Sequence, residues 1–290
     1  MNPMAPLLRT VLNATSRLAP RLAARMAFAA FVKPAGRSRA RPSEHELLAL
    51  ARTDSLAVNG KEVVVYAWGD GERPVLIVHG WSSRASRLSG FVAALCAKGY
   101  SPVAFDAPGH GDSTGRATNI VEYRQIIRQL HARHGDFEAV VAHSFGVLAA
   151  YFALRRGEVR ARRIVGIGGV GSFDYLMDGF TAELGLHQRL KGQVRDHIER
   201  VLCPGEPDVW RCLGVAYRPE EVAVPVLLIH DEDDEMVPLA QSRVIADAHG
   251  ERARLVVTRG LGHRRILGDP DVIAEAVDFA VSGRDEARVG

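Results

Sequence analysis

The chain runs to 290 residues, of which 47% are hydrophobic and 24% charged. That balance excludes disorder for the bulk and leaves room for one large α/β domain or two small ones. The net charge of +3 is unevenly spread: residues 1–43 carry Arg9, Arg17, Arg21, Arg25, Lys33, Arg37, Arg39 and Arg41 and no acid, leaving 29 bases against 34 acids elsewhere, so the body lacks the basic excess that nucleic-acid binding requires.

The N-terminal stretch "MAPLLRTVLNATSRLAPRLAARMAFAAFVKPAGRSRARP" has apolar residues at helical spacing (Leu8, Val11, Leu12, Thr15, Leu18, then Leu22 and Met26), interrupted by Pro20. Arg17, Arg21 and Arg25 recur every four residues along one face. Two readings are open. In one, a cationic amphipathic helix makes peripheral contact with an anionic membrane surface; in a eukaryotic chain the same pattern would be a transit peptide. In the other, a helical extension (1–43, with its linker) packs on the body and its arginines are simply solvated. No arginine-free apolar run has the length of a transmembrane helix or a signal-peptide core. The three cysteines, Cys96, Cys203 and Cys212, are odd in number and lack metal-ligand spacing. They point to a reducing, cytoplasmic setting rather than a disulfide framework.

"KPAGRSRARPSE" (33–44) reads as a polar linker. Strands and helices then alternate. Strands are predicted at 62–68, 73–80, 101–109, 138–144 and 162–170, and helices at 86–99, 120–135 and 145–157. The strands are apolar on both faces, the pattern of a parallel sheet covered by helices on both sides. Residues 171–222 break the alternation, hold no clear strand and look helical. The pattern resumes with strands at 224–231 and 253–260 and helices near 239–249 and 269–283. A helical block inserted at the C-terminal edge of such a sheet would roof the place where open α/β sheets bind ligands.

Ser144 lies where the apolar strand "EAVVAHS" gives way to the helix "FGVLAAYFALRRG". A nucleophile elbow needs that context: a sharp turn lifts the serine above the sheet, and the residues two before and two after must be small. Gly146 meets the demand and Ala142 meets it with one extra methyl. A buried serine that happens to precede a helix is the plain alternative. A serine hydroxyl needs a base, usually a histidine oriented by a carboxylate. "GHRR", just past the last strand, offers His263. "HDEDDEMVP" offers Asp231, Asp233 and Asp234, which the local sequence does not separate. Backbone N–H groups for an oxyanion would come from Phe145, directly after the serine, and from Trp81 in "VHGWSS", although His79-Gly80 also reads as a mere strand terminator.

Taken in order, "VLIVHGW", "VAFDAPGHGDS", "VVAHSFG", "VLLIHDEDDEMVP" and "GLGHRR" resemble the α/β-hydrolase superfamily, from about residue 60 to 282. The resemblance implies the α/β-hydrolase fold: a mostly parallel sheet covered by helices on both faces (44–170 and 223–290), with a helical cap insertion at 171–222. It implies that Asp234, four residues before Pro238, is the acid, and that Asp106 and His110 are structural. It implies that cap residues such as Phe173, Tyr175, Leu176, Phe180 and Trp210 line an acyl or alcohol pocket. A serine rather than an aspartate nucleophile sets the chain apart from the epoxide hydrolase and haloalkane dehalogenase branches. The expectation is a serine hydrolase that cleaves a small-molecule carboxylic ester through an acyl-enzyme, with no metal and no organic cofactor. Alternatives on the same triad are a thioesterase or an acyltransferase, and, outside catalysis, a binding module.

Overall fold

The computed structural model describes residues 5–282. Two helices come first, α1 (Ala5–Leu18) and α2 (Pro20–Phe31). The break between them is set by Pro20, which has no N–H to continue α1 but suits the first turn of α2. After a short helix α3 (Pro42–Ala49) comes a hairpin, β1 (Arg52–Val58) and β2 (Lys61–Ala67). Its two-residue turn is Asn59-Gly60, with φ of 48° and 72°, the left-handed pair that matches strand twist. Neither α3 nor β1 was expected from the sequence.

The remaining strands are β3 (Pro74–Val78), β4 (Ser101–Phe105), β5 (Ala139–His143), β6 (Ile164–Ile167), β7 (Val226–Asp231) and β8 (Ala253–Thr258). Between and after them run α4 (Ser89–Ala97), α5 (Ile120–His134), α6 (Phe145–Leu154), α7 (Phe173–Glu183), α8 (Gln188–Leu202), α9 (Val209–Cys212), α10 (Ala240–His249), α11 (Gly262–Arg265) and α12 (Pro270–Val281). One sheet holds all eight strands in the order β1-β2-β4-β3-β5-β6-β7-β8. β2 is antiparallel to both its neighbours, and the strands from β4 to β8 are parallel.

β3 to β7 are buried along their whole length. Strand periodicity sorts their residues onto two faces. Val75, Ile77, Val141, Val165 and Leu227 join one apolar cluster with Phe91 and Leu95 of α4 and Val272 and Val277 of α12. Leu76, Val78, Val140, Ile164 and Leu228 join the other with Ile126 of α5 and Leu148 of α6. Each such side chain contributes about 1.5–3 kcal/mol by leaving water, so alternation alone fixes which helices lie on which side.

From β3 the chain steps outward to β4 and then returns across β3 to β5. This strand-order reversal opens a crevice at the C-terminal ends of β3 and β5. The helical block α7–α9 leaves the sheet after β6 and rejoins it at β7.

The N-terminal helices are docked on that block. Leu12, Ala23, Ala24 and Ala27 are buried. Asn13 Nδ2 donates to Gly185 O at 3.2 Å, and Ser16 Oγ lies 3.0 Å from His187 Nε2. Phe31 sits edge-on to both Phe173 and Phe180. The stretch read as a linker is a strap. Arg37 donates to the carbonyls of Gly111 (3.1 Å), Gly115 and Ser113, and buried Glu44 bonds Ser86 and Arg87. No helix among the described residues is long and apolar enough to cross a membrane.

A docked α1 predicts resistance to trypsin at the exposed Arg17, Arg21 and Arg25. Leu12→Asp, which puts a charge into a fully buried position, should release both helices and speed cutting at those three sites. Equal cutting of variant and wild type would show that the packing is not holding them.

Candidate active site

β5 ends at His143 and α6 begins at Phe145, so Ser144 is the whole of the turn. Its backbone sits at φ 57°, ψ −124°, a strained region for a residue with a Cβ. Neighbouring bonds hold it there. The Ser144 N–H donates to Ile167 O at 2.9 Å, and its carbonyl accepts from Val147 N–H (3.0 Å) and Val170 N–H (3.3 Å). The hydroxyl does not cap α6, the usual task of a serine that starts a helix.

Close backbone contact explains the small neighbours. A Cβ on Gly146 would lie 2.5 Å from Val78 O and 2.8 Å from His79 O. A Cβ on Gly80 would lie 2.8 Å from Ser144 Cβ and 3.1 Å from His143 O. Ala142, the other position expected to need a small residue, carries no such load. It is an ordinary buried residue of β5 paired with Val78 and Gly166. Its methyl points into the apolar cluster under α5 and α6.

The three candidate aspartates separate by their partners. Asp231, at the end of β7, accepts from Gly262 N–H (2.9 Å), Leu261 N–H (3.0 Å) and Thr258 Oγ1 (2.8 Å). It staples the loop that carries His263. Asp233 accepts from Gly260 N–H at 2.9 Å. Asp234 Oδ2 accepts from His263 Nδ1 at 2.7 Å, while its Oδ1 takes the N–H groups of Met236 and Val237, both at 2.8 Å. Burial opposes charge on Asp234, but the His263 bond and the two backbone donors together hold its carboxyl below the usual range. With Nδ1 committed to Asp234, the lone pair of His263 lies on Nε2. His263 and Ser144 line the same cleft. Gly168, at φ 53°, packs against His263 and Asp234, where an added Cβ would lie 3.3 Å from His263 Nδ1 and 3.4 Å from Asp234 Oδ2.

Trp81 and Phe145 also meet, their rings 5.4 Å apart edge to face. The Phe145 N–H belongs to the first turn of α6, whose donors a helix leaves unpaired. The loop behind Trp81 rests on buried histidines. His110 Nε2 accepts from Ser82 N–H at 3.0 Å, and His79 Nε2 accepts from Ala107 N–H at 3.0 Å. A nitrogen that accepts a backbone N–H must be unprotonated, so both rings are neutral. Burial agrees, pulling His79 down to about 4 and His110 to about 3. Asp106 accepts from Ala85 N–H (2.8 Å) and Asp112 N–H (2.9 Å), and Arg84 approaches it at 3.5 Å. Asp106 and His110 therefore hold loops, as the resemblance implied.

His143 was overlooked in the sequence, although it adjoins Ser144. Its Nε2 bonds the carbonyl of His263 at 3.0 Å, and burial lowers it to about 3. It ties β5 directly to the histidine loop.

An open cleft of about 1700 Å³ reaches Ser144 and His263. An inner, mostly apolar pocket of about 240 Å³ adjoins it, lined by Phe31, Trp81, Phe145, Phe173, Leu176 and Phe180. Tyr175 lines the cleft and donates its hydroxyl to Met236 O at 2.7 Å. Trp210 lines neither space. It is buried against Phe173, with Arg195 3.7 Å above its ring and Glu199 on its indole N–H at 2.6 Å. Phe31, which no local pattern marks, comes instead from the N-terminal extension.

The family model described as "Alpha/beta hydrolase family" matches residues 75–276. The chain belongs to the alpha/beta hydrolase family. It is 26% identical over 277 residues to a non-heme haloperoxidase of Rhodococcus erythropolis, covering 78% of this chain and 98% of that one. It is 22% identical over 267 residues to a monoacylglycerol lipase of Mycolicibacterium smegmatis, covering 78% and 95%. The solved structure of an esterase from Pyrococcus furiosus has a TM-score of 0.62 at 18% identity, over 86% of this chain and 96% of that one. This alpha/beta hydrolase therefore shares its fold with structures that have diverged far in sequence.

The elbow predicts that Gly146→Ala loses about 2 kcal/mol or more by overpacking. Gly179→Ala, on α7 with nothing within 4 Å, should change stability little or raise it. Equal thermal midpoints for the two variants would contradict the backbone contact. The buried histidines set a pH dependence. In the unfolded chain histidines protonate near pH 6.5, whereas His79, His110 and His143 stay neutral down to about 4 or 3. Below about pH 6.5 the unfolded state binds more protons, so stability is full above that value and falls as the pH drops. The urea midpoint should decline steadily from about pH 7 to about pH 4, with each of the three rings removing on the order of a few kcal/mol of stability over that range. A flat profile would mean that these rings are not held neutral.

Proposed function

We propose that the protein is a serine hydrolase that cleaves carboxylic esters through an acyl-enzyme. Ser144 Oγ attacks the ester carbonyl. His263 Nε2 takes the hydroxyl proton and gives it to the leaving alcohol. Asp234 fixes the imidazole tautomer and stabilises the imidazolium. The N–H groups of Trp81 and Phe145 stabilise the oxyanion. Water then repeats the sequence and releases the acid. The observation that carries this reading is the 2.7 Å bond from His263 to Asp234, beside a serine whose strained turn leaves its hydroxyl out of the helix cap.

The acyl group fits the inner pocket, which abuts both oxyanion residues. Its 240 Å³ is small beside the roughly 300–1,000 Å³ of ordinary ligand sites, so short to medium acyl chains are the expected substrates. The lipase and esterase among the similar proteins support an ester. The odd cysteine count supports a reducing, cytoplasmic site of action.

The test is a p-nitrophenyl ester series of increasing acyl length with wild type, Ser144→Ala and Asp234→Asn. Turnover should peak at short to medium chains. It should vanish in Ser144→Ala and fall on the order of 10⁴-fold in Asp234→Asn, which leaves the wrong tautomer. Asp233→Asn should stay within a few-fold of wild type. Labelling of Ser144 by a fluorophosphonate without ester turnover would move the reading to thioester cleavage or acyl transfer. No labelling would make the protein a binding module. Halogenation without ester hydrolysis would favour the chemistry named for the Rhodococcus relative.

A further inference from the structure

We propose that α1 and α2 dock the protein on an anionic bilayer surface, laying the mouth of the cleft against the lipid from which an ester substrate enters. The docking stands on the helices alone; the delivery of substrate rests on the ester reading above.

α1 has two apolar faces. Leu8 and Leu12, with Ser16, turn toward the protein. Leu7, Val11, Ala14 and Leu18 recur at spacings of four, three and four, a second stripe along the helix. That stripe faces solvent, with Leu7 58% and Leu18 91% exposed. On α2, Ala23, Ala24 and Ala27 face inward, while Leu22 is 52% exposed beside Arg21 and Arg25. Nine large apolar side chains are exposed among the described residues, and four of them lie on these two helices. A helix that only packs on a protein needs one apolar face. The second stripe has no partner among the described residues.

The same surface is basic. Arg17, Arg21 and Arg25 are exposed and form no ion pair among the described residues, and the first 43 residues contain no acid. A surface that is both apolar and cationic fits an interface that is both apolar and anionic, which is the headgroup boundary of an acidic bilayer. A second copy docked through the same face would oppose arginine to arginine. Crossing the membrane is not needed: the stripe runs along α1, so that helix would lie in the interface plane with Leu22 of α2 beside it.

The position of the helices links docking to the cleft. Leu8 of α1 and Ala29, Ala30 and Phe31 of α2 line the cleft that holds Ser144 and His263. Met236, 52% exposed, lines it too. Lipid against α1 and α2 therefore lies beside the cleft they help to form.

Flotation of the full chain with vesicles tests this. One set is phosphatidylcholine and phosphatidylglycerol in equal parts, and the other phosphatidylcholine alone. The protein should float with the anionic set and far less with the neutral one. The double variant Leu18→Asp, Leu22→Asp should lose flotation. The triple variant Arg17→Gln, Arg21→Gln, Arg25→Gln should bind anionic vesicles roughly a hundred-fold more weakly, and added salt should do the same to wild type. Both variants should hydrolyse a soluble short ester as wild type does and turn over a vesicle-embedded ester more slowly. No flotation with anionic vesicles, or flotation that survives the leucine variant, overturns the proposal. So does a lipid-independent dimer, seen by sedimentation velocity, that the leucine variant dissolves. Flotation without turnover of any ester overturns substrate delivery and the ester reading together, and leaves the docking intact.

Discussion

Three backbones meet at Ser144, and the rest of the site depends on their fit. The turn after β5 crosses under the loop after β3 at distances that leave no room for a Cβ at Gly80 or Gly146. That contact forces Ser144 into a left-handed conformation with φ 57°. Strain of this kind costs of the order of 1–3 kcal/mol and lasts only where the surroundings over-determine it. Here they do so through three backbone hydrogen bonds at the serine itself and two strands buried on both faces. The same approach sets the Trp81 loop beside the serine. The position of Ser144 and the positions of the Trp81 and Phe145 backbones are thus one constraint rather than two.

The carboxylates and histidines divide the remaining work by environment. Asp231, Asp233 and Asp234 occupy one loop, yet only Asp234 meets an imidazole. Asp231 spends both oxygens on the loop that presents that imidazole. Asp106 gives one oxygen to Ala85 N–H in the segment after β3 and the other to Asp112 N–H in the turn after β4. Buried carboxylates are tolerable here because backbone N–H groups replace lost water. His79, His110 and His143 are held neutral and act as fixed hydrogen-bonding wedges between loops. His263, by contrast, has one nitrogen bound to Asp234 and lines open space.

Much of this was legible in the sequence wherever the signal was local. β3, β5 and β7 are continuous apolar runs, which only a doubly covered sheet requires, and the strand-serine-helix junction singled out Ser144. β1 was missed because RTDSLAV buries only Leu56 and Val58 and lies at the sheet edge. Its readable mark was the Asn59-Gly60 turn rather than the strand. Choosing among three aspartates needed tertiary geometry, since all three lie between the last residue of β7 and the third residue beyond it. Arg37 looked like linker because its partners are carbonyls more than seventy residues away, and no local pattern encodes a long-range backbone acceptor. Trp210 looked like a pocket residue because size and apolarity cannot tell burial inside the helical block from exposure to its cavity.

The N-terminal extension is the part of the chain whose two sequence readings are not exclusive. The structure puts one face of α1 and α2 on α7 and α8, so the extension is packed; it also leaves a second apolar stripe and a row of arginines outward. A helix pair built only to cover the helical block would gain nothing from Leu18 at 91% exposure, and such a residue on a soluble surface invites association. Phe31 ties the two faces together. It packs edge-on to Phe173 and Phe180 and lines the inner pocket. Any tilt of α2 would therefore move one wall of that pocket. A surface that binds α1 and α2 acts on that wall through one aromatic side chain, with no change required in the sheet or in the loops that carry Ser144, Asp234 and His263.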